Sequence, residues 1–411
     1  MPVGFMTKKG SENGKLNTML EMSKSFSPIV KVEHCFGIFR FRIMSDGQLK
    51  ETNTKLKQLA TCLIFMYVMP YLICLYFDLI ESSSPTPKMI DSIYEVPFII
   101  IIIEYMISAS LCCAYSKQNI ILFTEFAKID SLLSVNTLFY TVTRRGTKIY
   151  LMLCSVCPIV IYALEVSTRL TLDLTTISAL PICCIRYIEI FIICLTMRLL
   201  IIRVKLINLK LTEHVKTVKS NIYFRSLKKR RNLIKIDLNC MDCISNKKLK
   251  IRELAEAYSV IGETCIKINE IFKFKLLMVF ISSFMFVIIV IWTTLYYYRD
   301  SYDLEMFVRI IIGCVFEILA IAFLCVFSER LILNQKYTKV IVNEIIIDID
   351  LPNEMRNEAK MFMHVLDVWP LNISVYDMIQ VDIKLLLKFF GLTTTYVVMV
   401  VQMLRETWLK K

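Results

Sequence analysis

The sequence predicts an all-α, polytopic membrane protein with seven transmembrane helices, a cytosolic N-terminus, an extracellular C-terminus and a cytosolic bundle of anchor helices. Composition is the first observation behind this prediction: 56% of the 411 residues are hydrophobic and only 21% are charged, which is too apolar for a soluble domain of this length. Second, seven stretches are each long enough to cross a hydrocarbon core, which needs about 20 apolar residues of helix. Third, lysine and arginine collect on one side of these stretches.

The seven predicted spans are residues 59–79, 96–114, 149–166, 180–202, 276–298, 307–327 and 383–403. They divide the chain into a cytosolic N-terminal region (1–55), transmembrane helices 1 to 4 (56–202) with an inner loop (116–148), a long basic cytosolic segment (203–275), transmembrane helices 5 and 6 (276–327), cytosolic anchor helices (328–382), a seventh transmembrane helix (383–403) and a short extracellular tail (404–411). The first fifty residues lack the apolar core and cleavage site of a targeting peptide, so we expect the first span itself to direct insertion.

The orientation follows from the positive-inside rule, under which cytosolic loops are rich in lysine and arginine. With the N-terminus in the cytosol, 37 of these residues lie in inner segments and three lie in outer loops. The tail opposes this orientation, because Arg405, Lys410 and Lys411 are then extracellular. The alternative is six full spans followed by a re-entrant seventh. The one Asn-x-Ser/Thr sequon, at 372–374, is placed in the cytosol and is expected to carry no glycan.

Helical spacing of apolar residues continues well beyond some of the spans. Ile251, Leu254, Tyr258 and Ile261 recur at this spacing, and no proline separates them from the fifth span. Similar spacing follows the fourth and sixth spans. We therefore expect helices that project below the membrane and pack as an intracellular bundle, within one chain or between chains. The alternative is amphipathic helices that lie on the membrane surface.

The residues that ordinary catalytic, metal or nucleotide sites need are sparse in this sequence. It has three histidines and nine glycines, without an HExxH motif or a glycine-rich phosphate loop. Cys240 and Cys243 form an isolated CxxC, which lacks the second ligand pair of a zinc site. We therefore predict that the protein is not an enzyme and that it binds no metal and no cofactor.

The basic charge behind the net charge of +13 is densest at 225–235, in the long cytosolic segment. Anionic lipid headgroups are the nearest partner of such a loop, so the charge does not predict nucleic-acid binding. One interpretation is a solvated loop that orients the chain in the membrane. The alternative is a calmodulin-like target helix over 224–236.

The last predicted span contains a side-chain amide close to its C-terminal end. Thr395 and Tyr396 are followed by five apolar residues and then by Gln402. A lone amide in that position is unfavourable unless it faces water or a partner. Four side chains lie near one stripe of this helix: Thr395, Met399, Gln402 and Met403. We interpret Gln402 as lining a conduit, and the alternative is a hydrogen bond to a neighbouring helix.

These residues resemble those of a known family. The ending of Thr395, Tyr396, five apolar residues and Gln402 resembles the seventh span of the insect gustatory receptors. Asn269, in the stretch that enters the fifth span, lies in a second pattern that is similar to theirs. The resemblance covers nearly the whole chain and extends to the insect odorant receptors. The chain departs from it at Met403, where the family usually has phenylalanine.

The resemblance implies a ligand-gated, nonselective cation channel in the plasma membrane of sensory neurons. Four subunits would surround one pore, with the seventh helices lining it and the cytosolic extensions holding the subunits together. Thr395, Met399, Gln402 and Met403 would then form the pore and its gate. The expected partners are a small-molecule tastant, membrane lipid, permeating cations and further subunits of this or other gustatory receptors. Two alternatives stay open: a metabotropic receptor and a non-conducting co-receptor subunit.

Charged residues inside predicted spans are rare and usually functional. Several lie in the outer half or near the midplane of their spans, so they could converge on an outward-facing polar pocket. With outer aromatic residues added, the hypothetical ligand pocket consists of Glu104, Glu165, Arg186, Glu189, Trp292, Tyr296 and Glu317. The alternative is structural pairing of Arg186 with Glu104 or Glu189, together with an interfacial belt of aromatic residues.

Overall fold

The computed structural model describes residues 6–44, 48–81, 88–136, 138–149, 151–152, 174–218, 249–300 and 304–409. Within these ranges the chain is almost entirely helical and contains two short antiparallel hairpins. The helices are α1 (Met6–Cys35), α2 (Thr54–Glu81), α3 (Lys88–Ala114), α4 (Ser116–Leu132), α5 (138–149), α6 (Leu174–Val218), α7 (Ile251–Asp300), α8 (Leu304–Ile347), α9 (Asn353–Val368) and α10 (Ile383–Leu409). The strands are β1 (Arg42–Ile43), β2 (Leu49–Lys50), β3 (Ser374–Val375) and β4 (Ile379–Gln380), paired β1 with β2 and β3 with β4.

Six of the seven predicted spans lie inside described helices, namely α2, α3, α6, α7, α8 and α10. The third span, 149–166, begins at the end of α5, and most of it lies outside the described residues. Among the described residues, length and composition alone mark three stretches as able to cross a membrane: Thr54–Ile73, Ile251–Trp292 and Ile383–Gln402. A fourth candidate is the pair Ile99–Ala114 and Ser116–Leu132, which is bent by 68°.

Three helices are much longer than a membrane crossing requires. α6, α7 and α8 contain 45, 50 and 44 residues. At about 1.5 Å per residue each is roughly 65 to 75 Å long, whereas the hydrocarbon core is about 30 Å thick. In α7, Leu254, Tyr258 and Ile261 are fully buried. The helix predicted from their spacing is therefore present, and it packs in a bundle with α8 and α9.

A close contact joins α7 to the end of α9 in this bundle. A Cβ atom added to Gly262 would lie 2.5 Å from the Cβ atom of Trp369, so a larger residue has no room there. Tyr258 packs edge to face on Phe362 of α9, with 5.7 Å between the ring centroids. Gln335 of α8 donates a hydrogen bond to the carbonyl of Trp369. The three helices are thus held at one junction.

The hydrophobic core of the described residues has two parts. The larger part is built by α1 and α4 to α10, and the smaller part lies between α2, α3 and α6. Tyr71 and Tyr105 belong to the smaller part. The Tyr105 hydroxyl donates to the carbonyl of Phe36 at 2.8 Å, which ties the segment after α1 to α3.

Asn269 of α7 holds the segment that leads into α10. Its Nδ2 donates to the carbonyl of Asn372 at 2.9 Å, and its Oδ1 accepts from the amide of Ser374 at 3.3 Å. The hairpin turn that follows contains Tyr376 and Asp377, both with positive φ. Asn269, which lies in the second pattern similar to that of the gustatory receptors, therefore helps to set where the last helix begins.

Candidate pore helix and buried polar network

The helix α10 lies at the edge of the bundle and contacts it through one face. Only 11% of an 18-residue apolar stretch within Ile383–Gln402 is buried inside the chain. Phe389 and Thr393 are buried on the contact face. Phe389 and Tyr396 each pack edge to face on Phe284 of α7, with 6.0 and 5.6 Å between ring centroids. Tyr396 of the predicted motif is therefore a packing residue that joins α10 to α7.

The opposite face of α10 is open in the single chain. Thr395, Met399 and Gln402 are exposed, and a Cβ atom on Gly391 would meet nothing within 4 Å. The Thr395 hydroxyl donates to the carbonyl of Gly391, whereas Gln402 makes no hydrogen bond within the described part of the chain. The side chain of Met403 lies outside the described residues. An apolar helix thus presents an unpaired amide on a face that none of the described elements covers.

Arg186 of α6 is the centre of a buried polar network that joins four helices. Its Nη1 donates to Glu317 of α8 at 2.6 Å, and its Nε lies 3.2 Å from a carboxylate oxygen of Glu104 of α3. Its Nη2 donates to the hydroxyls of Ser282 and Ser283 of α7 at 2.9 and 2.8 Å. The pairing of Arg186 with Glu104, which was one of the two interpretations of these charges, is present in the structure.

Two further side chains, and a second hydrogen bond of Ser283, complete this network. Lys275 Nζ lies 2.8 Å from the second oxygen of Glu104, and the Tyr187 hydroxyl donates to Glu317 at 2.9 Å. The Ser283 hydroxyl donates to the other oxygen of Glu317 at 2.7 Å. Two cations therefore face two anions, and all four charged side chains are at least nine-tenths buried. Such balance is what makes buried charge tolerable, since an unpaired ion in an apolar interior is strongly unfavourable.

Glu189 belongs to a separate network. One of its carboxylate oxygens accepts from Arg40, and the same guanidinium donates to Glu33 of α1 at 2.6 Å. All three side chains are buried. Burial, and to a smaller extent the negative charge of Glu189, raise the pKa of Glu33 from its usual value of 4.5 to about 7, although Arg40 acts in the opposite direction. The segment after α1 is thus tied to α6 by a guanidinium between two carboxyl groups.

The structure brings together three of the seven residues of the hypothetical ligand pocket: Glu104, Arg186 and Glu317. Glu189 has other partners, and Trp292 is half-buried near the end of α7. Glu165 and the side chain of Tyr296 lie outside the described residues. In the part of the chain that is described, no group of three or more histidine, cysteine, aspartate and glutamate side chains is placed to hold a metal ion.

Sequence reasoning missed Lys275, Ser282 and Ser283 as members of the Arg186 network. Lys275 falls one residue before the predicted fifth span, where a basic residue is usually explained by lipid headgroups. Serines inside a span carry no charge and give no signal on their own. The adjacent serines Ser282 and Ser283, within an otherwise apolar stretch, were the available hint, because such hydroxyls commonly bond across membrane helices.

Several described helices are apolar and long enough to cross a membrane, and their charged groups are buried in balanced networks, so the chain is a polytopic membrane protein. A sequence profile of the 7tm chemosensory receptors matches residues 26–403, and the chain belongs to that family. It is an all-α membrane protein with seven transmembrane helices. No curated protein matches it in sequence.

Solved structures that share this fold include the insect olfactory receptor OR5 from Machilis hrabei, alone and in complex with eugenol. Each is 11% identical to this chain, with a TM-score of 0.62. Each match covers 94% of this chain and 99% of the other. At this identity the likeness concerns the fold, and it spans nearly all of both proteins.

Proposed function

We propose that this protein is a gustatory receptor: a ligand-gated, nonselective cation channel of the sensory-neuron plasma membrane that detects a small-molecule tastant. Four copies surround one pore, which α10 lines. Membership of the chemosensory receptor family supports the receptor class. The observation that carries the channel proposal is the open polar face of α10.

The argument from α10 rests on the environment of its polar groups. An amide in contact with lipid tails has no hydrogen-bond partner. As for other unsatisfied polar groups in hydrocarbon, this is unfavourable by on the order of several kcal/mol. Gln402 has no partner within the described part of the chain, and Thr395 shares its face. We infer that water or another subunit meets this face. Four copies around one axis supply a water-filled conduit, with Met399 providing an apolar constriction beside the amides.

A ligand close to the Arg186 network could act on the pore helix through α7. Ser282 and Ser283 bind Arg186, and the next residue, Phe284, packs on Tyr396 of α10. The related fold of OR5 has been solved with eugenol, which supports a small-molecule site in this architecture. We place the tastant above the network, in an outward-facing pocket, so that binding shifts α7 and thereby α10.

Cysteine modification tests whether α10 lines a conduit. The full-length protein is expressed alone, and ligand-evoked currents are recorded in excised patches without guanine nucleotides. A charged thiol reagent should block at least about tenfold more current through Gln402→Cys than through wild type, because the modified side chains would converge in the pore. The matched control is Val401→Cys, which is also exposed but points about 100° away.

The outcomes separate the function classes. Block of Gln402→Cys alone supports the channel. Equal sensitivity of both cysteine variants, or normal currents through a fully modified Gln402→Cys, contradicts a pore lined by α10. Currents that need guanine nucleotide indicate a metabotropic receptor, and currents that appear only on co-expression with another subunit indicate a co-receptor.

A further inference from the structure

Two lysines lie on the same face of α10 as the residues of the proposed pore. At about 100° per residue, five positions fall within about 60° of one another around the helix. They are Lys384, Lys388, Gly391, Thr395 and Gln402. The contact face, marked by Phe389 and Thr393, lies about 150° away from them. The open stripe therefore begins with two positive charges in the first two turns of the helix.

Neither lysine is paired with a described neighbour. Lys384 and Lys388 are exposed, and neither makes an ion pair or a hydrogen bond with any residue that the structure describes. Asp382, the acidic residue next to them in sequence, points elsewhere: its Oδ1 accepts from the amide of Leu385 at 2.8 Å and caps the helix. By helical geometry Asp382 falls on the contact face, away from the stripe that carries the two lysines.

Helix stability does not account for these lysines. A helix N-terminus carries a partial positive charge, so basic residues there are unfavourable, and α10 has no acidic residue in its first turn. Lys384 and Lys388 are also four residues apart, a spacing at which like charges repel. Two unfavourable terms thus coincide in an otherwise apolar helix, which indicates that the charges serve the surface they face.

We propose that Lys384 and Lys388 of each subunit form a ring of fixed positive charge at one mouth of the pore, and that this ring limits cation passage, for divalent more than for monovalent cations. The proposal rests on the proposed function, since it needs α10 to line the conduit. Fixed charge changes the local ion concentration within about 8 to 10 Å, the screening length near physiological salt. Repulsion grows with the charge of the ion, so divalent cations are excluded more strongly.

The competing explanation is that both lysines reach lipid headgroups at the membrane surface, as lysines near helix ends often do. The shared face argues against it. If Lys384 and Lys388 faced lipid, Thr395 and Gln402 would face lipid as well, because all four lie on one stripe of a continuous helix. That placement leaves the amide of Gln402 without a partner in hydrocarbon.

Removing the charges tests the proposal in the full-length channel. Unitary conductance for sodium and the ratio of calcium to sodium permeability are measured for wild type and for K384Q/K388Q. We expect the variant to conduct at least about twofold more current at low salt and to show a larger permeability ratio, with the difference shrinking at high salt. K384R/K388R keeps the charge and should match wild type. K360Q removes one exposed charge from α9 and should also match wild type.

The readouts distinguish failure of this inference from failure of the proposed function. If K384Q/K388Q conducts like wild type while Gln402→Cys is still blocked, the proposal that α10 lines the pore is supported and the proposal of a lysine ring is contradicted. If Gln402→Cys is insensitive, the proposed function itself fails. Should K384Q/K388Q not reach the membrane, Lys388→Cys modified after assembly by a negatively charged thiol reagent must raise the conductance, and a positively charged reagent must not. Equal effects of the two reagents overturn the inference.

Discussion

The Arg186 network and the open face of α10 differ in the environment of their polar groups, although both belong to one apolar bundle. Arg186 and Glu317 contact each other and three neighbouring hydroxyl groups, and both are almost fully buried. Gln402 is exposed on an apolar helix and has no hydrogen-bond partner in the described part of the chain. Both regions belong to segments of transmembrane length. The polar groups of the Arg186 network find their partners within the chain, whereas Gln402 on the open face of α10 finds none among the described residues.

The difference shows which region the single chain can build alone. A charge-balanced network fixes the positions of α3, α6, α7 and α8 relative to one another, so that part of the bundle is a finished scaffold. The polar groups on the open face of α10 need a hydrogen-bond partner from outside the described residues, such as water or another subunit. Phe284 lies between the two regions, next to the serines of the network and against the aromatic rings of α10.

The largest effect is expected from unbalancing the network. Arg186→Met leaves the carboxylate of Glu317 buried without its cation, which should lower the free energy of unfolding by about 3 to 5 kcal/mol. The double variant R186M/E317Q removes both charges and keeps the pair of Glu104 with Lys275, so it should recover most of that loss. Thermal stability in detergent and surface expression measure both. Equal stability of the single and double variants would show that charge balance is not what the network provides.

A smaller effect is expected where the two regions meet. Phe284→Ala removes both edge-to-face contacts with α10, each worth about 0.5 to 1.5 kcal/mol beyond the area it buries. We expect the half-maximal ligand concentration to rise about fivefold to tenfold while ligand binding is unchanged. Phe286→Ala is the control, because Phe286 lies close to Gly313 of α8. An equal shift in both variants would contradict a coupling specific to Phe284.

The Glu33 site should make the scaffold sensitive to pH. Because the folded state holds this proton more tightly than the unfolded state, stability should fall as pH rises from about 4.5 to about 7, where the folded carboxyl ionises. Glu33→Gln should remove this part of the pH dependence. Melting temperatures across the range measure it, with Glu21→Gln as control, since Glu21 pairs with the half-exposed Lys24 on the same helix. A slope retained in Glu33→Gln rejects the assignment.

The smallest effect on stability distinguishes the two faces of α10. Thr393 is buried on the contact face, and its hydroxyl has no partner in the described residues, so Thr393→Val should change stability by no more than about 1 kcal/mol and leave currents unchanged. Thr395→Val lies on the open face and should lower the ligand-evoked current, because it makes the lining more apolar. Currents lowered equally by both variants would mean that the faces are not distinct.

Much of the fold could be predicted from the sequence because lipid imposes simple rules. Apolar runs of sufficient length predicted helices that the structure contains, and the spacing of Leu254, Tyr258 and Ile261 predicted the extension of α7. Periodicity along one helix also identified the stripe of Thr395 and Gln402. These are properties of single helices, which neighbouring residues in the sequence determine.

Contacts between helices could not be predicted in the same way. Charges in separate spans pointed to one pocket, but spacing does not indicate which helices are neighbours. Arg40 and Glu189 are 149 positions apart, and no local pattern links them. The serines that bind Arg186 carry no charge, so they stood out only once the helices were assembled. The stripe of α10 is likewise visible in sequence, but the exposure of its lysines to an uncovered face is a fact of packing.

The unbroken course of α7 has a mechanical consequence. Gly262 meets Trp369 near one end of this rod and Phe284 meets Tyr396 farther along it, 22 residues or about 33 Å away. A tilt of about 3° about the position of the glycine would displace the phenylalanine ring by nearly 2 Å, which is within the range of about 1 to 2 Å for helix shifts in switching proteins. Such a tilt would carry Ser282 and Ser283 with it, so any change of angle that reached the last helix through Phe284 would also have to rearrange the Arg186 network.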